Sequence, residues 1–313
     1  MKSAATLALA LAGLLFASHA AAQAPKCKLL RIAEWMLRNE YYSPVVDGAI
    51  NGQKIRVLLD TASRQTVVRR SAAKTLGLTP AGVEGHPDAE TVHIIEFRIG
   101  KTVRDNWRVA VAGEQDFGDD VAIVLGNDFF QQADIEFDFG ANAVRVYQAR
   151  DCDGAPLAYW APAASTIPIE GGDGTRLAIA INGKPVLALL DSGAGRSLLG
   201  AAEAEKLGVT PESPGTLPAG CVAGYGKNAV DSWTGQFESF AIGGEVIRNP
   251  RIRFADLAQH TGDGRTEMLL GADFLHSHRV LVARSQGKMY FTYAGGTVFP
   301  RPPAARACGG PSR

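Results

Sequence analysis

Apolar and polar positions alternate along most of this chain in short runs. IIEFRIG, WRVAVAG, IEFDF and AVRVYQ, then LAIAING, FESFAIGG, RIRFADL and KMYFTYA, carry the period-2 or apolar pattern of strands packed on a core. Turn pairs such as NG, GG, DG and FG punctuate them. The pattern therefore predicts an all-β protein, a barrel or sandwich of many short strands. Two stretches, SAAKTLGL and GAAEAEKLGV, break the alternation and read as short helices, each stopped by glycine. NDFF and ADFL are expected to open one further short helix each.

The strand pattern occurs twice. AINGQKIRVLLDTAS aligns without a gap on AINGKPVLALLDSGA at an offset of 131 (191 less 60), and the same register carries AKTLGLTP onto AEKLGVTP. Upstream, WMLRN and TIPIE each read as a first strand. Downstream, each copy has an apolar run ending in glycine, VLGNDFF and LLGADFL, with Gly126 and Gly271 at an offset of 145. The second copy thus holds 14 more residues between its two signals (145 less 131), and they fall around AGCVAGYGKNAVDSW, residues 219–233. The first copy has only residues 81–92 there. A period of this kind implies two copies of one unit, residues 25–150 and 166–300. The Pro- and Ala-rich residues 151–165 between them read as a linker, and residues 301–313 as a tail without regular structure.

Each copy places one carboxylate, Asp60 or Asp191, directly after a strongly apolar run, and a hydroxyl, Thr61 or Ser192, directly after that. A carboxylate at the buried end of a strand is costly unless it is hydrogen-bonded or shares a proton. Gly193 permits a tight turn with backbone NH groups close to the carboxylate, and Ala62 stands at the matching position of the first copy. One such aspartate is an ordinary turn or capping residue. Two at equivalent places in a repeat imply a pair, because a twofold relation between the copies would bring them together. Carboxylates within ~3 Å of each other hold one proton between them.

The apolar strand, the Asp-Thr/Ser-Gly turn and the later apolar-Gly run, twice and in order, resemble the aspartic protease family. In detail they are similar to bacterial retropepsin-like members with two copies fused in one chain. The likeness extends over nearly all of residues 35–294. It implies a bilobal fold of two pseudo-twofold-related β-barrel lobes with short helices. It also implies an aspartic endopeptidase in which Asp60 and Asp191 activate water, with peptide or protein as substrate and no metal or cofactor. Thr61 and Ser192 would brace the catalytic turns formed by Ala62 and Gly193, and Gly126 and Gly271 would let the second loops pass close. In this family a β-hairpin flap closes over the substrate. Tyr225 and Gly226 resemble its tip, so one flap, from the second lobe, is expected. The fused repeats imply a monomer. The departure from the motif is Ala62, and it motivates the alternative of a binding or scaffolding protein that keeps the shape without turnover.

Composition sets the address rather than the chemistry. The 313 residues are 46% hydrophobic and 20% charged, with 32 basic and 32 acidic side chains, so no steering toward nucleic acid or anionic membrane is implied. Lys2, the apolar run AATLALALAGLLFA and the small residues SHAAAQA read as a secretory signal peptide, residues 1–24, cleaved after Ala22 or Ala24. A periplasmic or secreted protein without a membrane span in its mature chain is the expectation. Four cysteines in an exported chain favour disulfides, with three connectivities open; Cys27–Cys152, bracketing the first repeat, with Cys221–Cys308 is the one favoured. A metal-hydrolase reading has only His276, His278, Asp273 and His260 to draw on, without HExxH, and the histidines are expected in an exposed loop or on one strand face. Walker A, Rossmann and GxSxG motifs are absent.

Overall fold

The computed structural model describes residues 27–112, 120–171, 174–222, 229–257 and 264–300. They form three sheets and four short helices. In the first repeat Gln53–Leu59 runs parallel to Val121–Leu125, and Val67–Arg69 packs antiparallel on the other side of Val121–Leu125. All five residues of Val121–Leu125 are buried, which is why this strand reads as a continuous apolar run instead of an alternating one. The sheet continues through Thr102–Ala112, His86–Ile99 and Ala81–Val83. Val45–Ile50 bridges its ends, pairing with Gln53–Leu59 on one side and His86–Ile99 on the other, so six of the seven strands close into a barrel. Closure leaves fewer open edges and encloses Phe97, Ile94, Val57 and Leu59.

The second repeat builds the same crossing. Lys184–Leu190 is parallel to Met268–Leu270, which is antiparallel to Leu198–Gly200, itself parallel to Arg251–Ala255. The helices Arg70–Thr75 and Ala201–Lys206 follow the matching strands directly. Both copies use an Asn-Gly hairpin turn with positive φ at both residues, Asn51 and Gly52, Asn182 and Gly183. Each Asn side chain then latches two backbone NH groups further along, Ile95 and Glu96 in one copy, Glu238 and Ser239 in the other.

A six-stranded sheet joins the two halves. Asp134–Asp138 pairs antiparallel with His278–Ala283 through Phe137↔Val280, Glu136↔Leu281 and Ile135↔Val282. Glu136 and Leu281 are themselves equivalents at the 145-residue offset, so a local twofold axis passes through that pair. The two first strands, Lys28–Met36 and Ser165–Pro168, lie at opposite edges of this shared sheet.

The segment expected as a linker is packed down rather than free. Leu157 and Ala158 are buried in a small apolar cluster with Tyr147, Leu281 and Tyr290. The Tyr159 hydroxyl donates to Glu136 at 2.8 Å, and the Trp160 indole NH donates to Thr292 at 2.9 Å. Glu136, fully buried, is also met by Arg145 and Arg279. A disulfide joins Cys27 to Cys152, as the bracketing of the first repeat suggested. Cys221 is also disulfide-bonded, and its expected partner lies outside the described residues.

The histidine pair needs correcting. His276 belongs to the helix Ala272–Ser277 and is exposed, while His278 opens the next strand and is buried, so neither a shared strand face nor an exposed loop describes them. His276 stacks between Tyr42 and Phe139. His278 binds the Phe274 carbonyl and Glu245. Among the described residues no cluster of three or more metal-ligating side chains forms, and His260 lies outside them.

Candidate active site

The two aspartates end equivalent strands at the centre of the molecule. Leu59 pairs with Leu125 and Leu190 with Leu270, and the next residue in each strand donates its NH back to that partner: Asp60 to the Leu125 carbonyl, Asp191 to the Leu270 carbonyl, both at 2.9 Å. The chain then turns around the carboxylate. Asp60 Oδ1 accepts the NH groups of Ala62 at 2.9 Å and Ser63 at 3.0 Å. Asp191 Oδ1 accepts the NH of Ala194 at 2.9 Å. These bonds satisfy turn donors that the apolar strand cannot.

Four bonds then tie one turn to the other across the pseudo-twofold axis. The Thr61 hydroxyl donates to the Leu190 carbonyl at 2.7 Å and accepts the Ser192 NH at 3.1 Å. Reciprocally, the Ser192 hydroxyl donates to the Leu59 carbonyl at 2.7 Å and accepts the Thr61 NH at 3.0 Å. Thr61 and Ser192 are both buried, so each hydroxyl holds the opposite turn where water cannot compete. This clamp sets the separation of the two carboxyls.

The carboxyls meet. Asp60 is 3% exposed and hydrogen-bonds to Asp191. Burial pushes the Asp191 carboxyl well above the ordinary carboxylate range, the neighbouring Asp60 charge pushes it further, and the NH groups of Ala194 and Gly193 oppose both without cancelling them. The Asp60 carboxyl lies flat against Gly193: a Cβ there would come within 2.6 Å of Asp60 Cγ and Oδ2. Glycine at 193 is therefore a requirement of close approach. Ala62, its counterpart, lies outside the left-handed region and keeps its NH on Asp60, so its methyl group leaves the turn intact.

Gly126 and Gly271 stand where the second loops cross the turns. A Cβ on Gly126 would come within 2.5 Å of the Gln65 backbone carbon, and one on Gly271 within 2.5 Å of that of Arg196. Behind each crossing is a hydroxyl–carboxylate brace that sequence reasoning missed. Thr66 accepts the Gly126 NH at 3.1 Å and donates to Asp128 at 2.8 Å. Ser197 accepts the Gly271 NH at 2.9 Å and donates to Asp273 at 2.5 Å. Thr66 and Ser197 share the 131 offset and Asp128 and Asp273 the 145 offset. Extending the repeat alignment by a few residues was the signal that could have found them.

The strand Val45–Ile50 is preceded by two further residues on the second turn. Ser43 donates to the Gly193 carbonyl at 3.0 Å, and the Tyr42 ring lies under the Arg196 guanidinium at 5.0 Å. The hairpin expected to carry the flap is formed at its base, Leu217–Val222 pairing with Val230–Gln236. Tyr225 and Gly226 at its expected tip lie outside the described residues. In the first lobe the corresponding hairpin is short, with the three-residue strand Ala81–Val83 and a turn at Gly85.

No curated protein sequence matches the chain. Among solved structures, an aspartic proteinase from Irpex lacteus matches over 83% of this chain and 97% of its own, at 10% identity and a TM-score of 0.48, a likeness too distant to build on. The family model described as aspartyl protease matches residues 46–129 and 177–274, together more than half of the chain. Each matched segment spans one aspartate turn and one glycine crossing, and the chain belongs to the aspartyl protease family.

Proposed function

We propose that this protein is an aspartic endopeptidase that hydrolyses peptide bonds of extended substrates between its lobes, with Asp60 and Asp191 as the catalytic residues. The observation that carries the reading is the contact between the two carboxyls: hydrogen-bonded, with Asp60 buried, Asp191 half-buried and the Asp191 carboxyl pushed well above the usual range. Such a pair keeps one proton and one charge. The charged carboxylate takes a proton from a bound water as it attacks the scissile carbonyl, and the protonated carboxyl donates to the developing oxyanion. Collapse of the tetrahedral intermediate returns a proton to the leaving amine, and no covalent intermediate forms. Thr61 and Ser192 keep the carboxyls in register, Gly193 makes room for Asp60, and Gly126 and Gly271 allow the loops behind them to pass.

Supporting the same reading, Ala62 leaves both the turn and its NH bond to Asp60 in place, so the feature that motivated an inactive scaffold does not disrupt the pair. We further assign residues 25–150 and 166–300 to the two lobes, and propose a monomer and export through residues 1–24. The Cys27–Cys152 disulfide fits an oxidising compartment. No helix among the described residues is long and apolar enough to cross a membrane.

The test is cleavage of an unbiased peptide mixture by the mature protein across pH 3–7, with Asp191→Asn in parallel. Cleavage should be blocked by a statine-type transition-state mimic, abolished in the variant, and lost as rising pH removes the shared proton. Cleavage that survives Asp191→Asn would place the chemistry elsewhere, and a folded wild type that cleaves nothing at any pH would refute the activity. Sequencing the N-terminus of exported protein should find it beginning after Ala22 or Ala24.

A further inference from the structure

Beside the second catalytic turn is a small cavity lined by Arg196, Ser197, Thr234, Arg251, Arg253, Asp273, Phe299 and Pro300. Three arginines and one aspartate thus line it. The arginines come from two places: Arg196 from the catalytic turn itself, Arg251 and Arg253 from one face of the strand Arg251–Ala255, which pairs with the flap-side strand Val230–Gln236. Thr234 is the direct cross-strand partner of Arg253, so it shares that face.

Their bonds are incomplete in a consistent direction. Arg196 donates to the Pro300 carbonyl at 2.9 Å. Arg253 donates to the Ser232 hydroxyl at 2.8 Å and to the Ala219 and Cys221 carbonyls at 2.9 Å each, all neutral acceptors. Arg251 makes no side-chain hydrogen bond or ion pair with the described residues, and none of the three arginines is ion-paired among them. The one carboxyl on the cavity, Asp273, has its oxygens occupied by the Ser197 NH and hydroxyl and the Phe274 NH. Thr234, only 4% exposed, has a hydroxyl with no hydrogen-bond partner among the described residues. Three partly buried like charges with a single carboxyl between them are short of counter-charge, and beside a buried hydroxyl that has no partner among the described residues they are complementary to an anion. The burial of Arg253 and its repulsion by Arg196 lower its affinity for its own proton, as expected where that counter-charge is lacking.

Resting on the endopeptidase reading above, we propose that this cavity is a substrate subsite selecting an acidic side chain, Asp or Glu, with Arg196, Arg251 and Arg253 as its cationic wall and the Thr234 hydroxyl as a donor to the carboxylate. Position favours substrate over a free ion. The cavity lies between the turn that carries Asp191, which contributes Arg196, and the strand Val230–Gln236 at the base of the hairpin, which contributes Thr234.

The test uses a peptide library randomised at every position and read in two ways. Wild-type protein cleaves it and the products are sequenced; Asp191→Asn protein captures it and the bound peptides are sequenced. Both should show Asp and Glu enriched at one fixed position, by about tenfold or more over Asn and Gln. In Arg251→Gln the acid-to-amide ratio at that position should fall toward one, and in Arg251→Glu, with Arg196 and Arg253 still in place, it should fall further. Unchanged thermal unfolding of both variants guards against misfolding, and Thr234→Val gives a second, uncharged probe that should lower the same ratio. Cleavage without acidic enrichment, or enrichment that persists in both Arg251 variants, overturns the subsite while leaving the endopeptidase standing. Capture of acidic peptides by a protein that cleaves nothing would do the reverse.

Discussion

Replacing Thr61 by valine removes a hydroxyl without changing side-chain shape, so it isolates the clamp between the lobes. The Leu190 carbonyl loses its 2.7 Å donor and the Ser192 NH loses its 3.1 Å acceptor, both in a site where Thr61 is 2% exposed and Ser192 is fully buried. A buried polar group left without its partner costs about 1–3 kcal/mol, so two such groups cost roughly 2–6 kcal/mol. That is a large share of a total folding stability of about 5–15 kcal/mol. Thr61→Ser is the control: it keeps the hydroxyl and deletes one buried methyl, for about 1 kcal/mol. Urea unfolding followed by tryptophan fluorescence should therefore rank wild type, Ser and then Val, with Val separated from Ser by at least ~1 kcal/mol and the slope m conserved. The partner variant Ser192→Ala strands a different pair, the Leu59 carbonyl and the Thr61 NH, but the two residues bond each other, so the double variant should depart from additivity by about 0.5–3 kcal/mol. A Thr61→Val protein as stable as Thr61→Ser would refute the claim that these hydroxyls hold the turns together.

Two further outcomes follow from the braces behind the site. Gly271→Ala should be among the most damaging single changes, since its Cβ meets backbone atoms of Arg196 and Ser197 at 2.5 and 2.7 Å; Gly208→Ala, strained by φ +81° but in open space, should cost only about 1 kcal/mol, and equal midpoints in thermal unfolding would contradict the close-approach argument. Burial pushes Asp273 up from 3.8 to about 6 against the hydrogen bonds from Ser197 and Phe274. The native state therefore holds a proton that the unfolded state has released across that window. Its contribution is fully present below about pH 4 and lost as pH rises through about 6, roughly 3 kcal/mol in all. The difference between wild type and Asp273→Asn in stability against pH should carry that slope, and a difference flat from pH 4 to 7 would show that Asp273 is not protonated in the native state.

Much of this architecture is legible from pattern because the fold is a duplication whose core strands are locally coded. The Asn-Gly turns, the apolar strands before Asp60 and Asp191 and the helices stopped by glycine each depend on neighbours in sequence. The braces do not. Thr66 meets Asp128 across 62 residues and Ser197 meets Asp273 across 76, and neither a lone hydroxyl nor a lone carboxylate announces its partner. Packing of residues 151–165 is not legible in the sequence for a related reason: Pro and Ala signal the absence of regular structure, not the absence of burial. Tyr159 and Trp160, with Arg279 stacked on both rings, anchor that segment to the shared sheet. The burial of His278 depends on Phe274, Phe291 and Glu245 closing over it, which periodicity cannot show.

The duplication is also imperfect at its centre, and the imperfection bears on the proposed mechanism. An exactly symmetric pair of carboxyls has no preferred seat for its single proton. Here one side has glycine at 193, against which Asp60 packs flat, and the other has alanine at 62. Asp60 is almost fully buried and collects the NH groups of Ala62 and Ser63, donors that favour a charged carboxylate. Asp191 is raised by its own burial and by the charge of Asp60 beyond what the NH groups of Gly193 and Ala194 recover. The two turns offer matching NH pairs, Ala62 and Ser63 to Asp60, Gly193 and Ala194 to Asp191, so the single proton belongs to the coupled pair rather than to either carboxyl. Ala62, the departure from the motif, is then the difference between two otherwise matching turns rather than a lesion in the dyad. Restoring symmetry with Ala62→Gly should change the pH dependence of cleavage more than its maximum rate, and a variant whose profile overlays wild type would leave that asymmetry without a role.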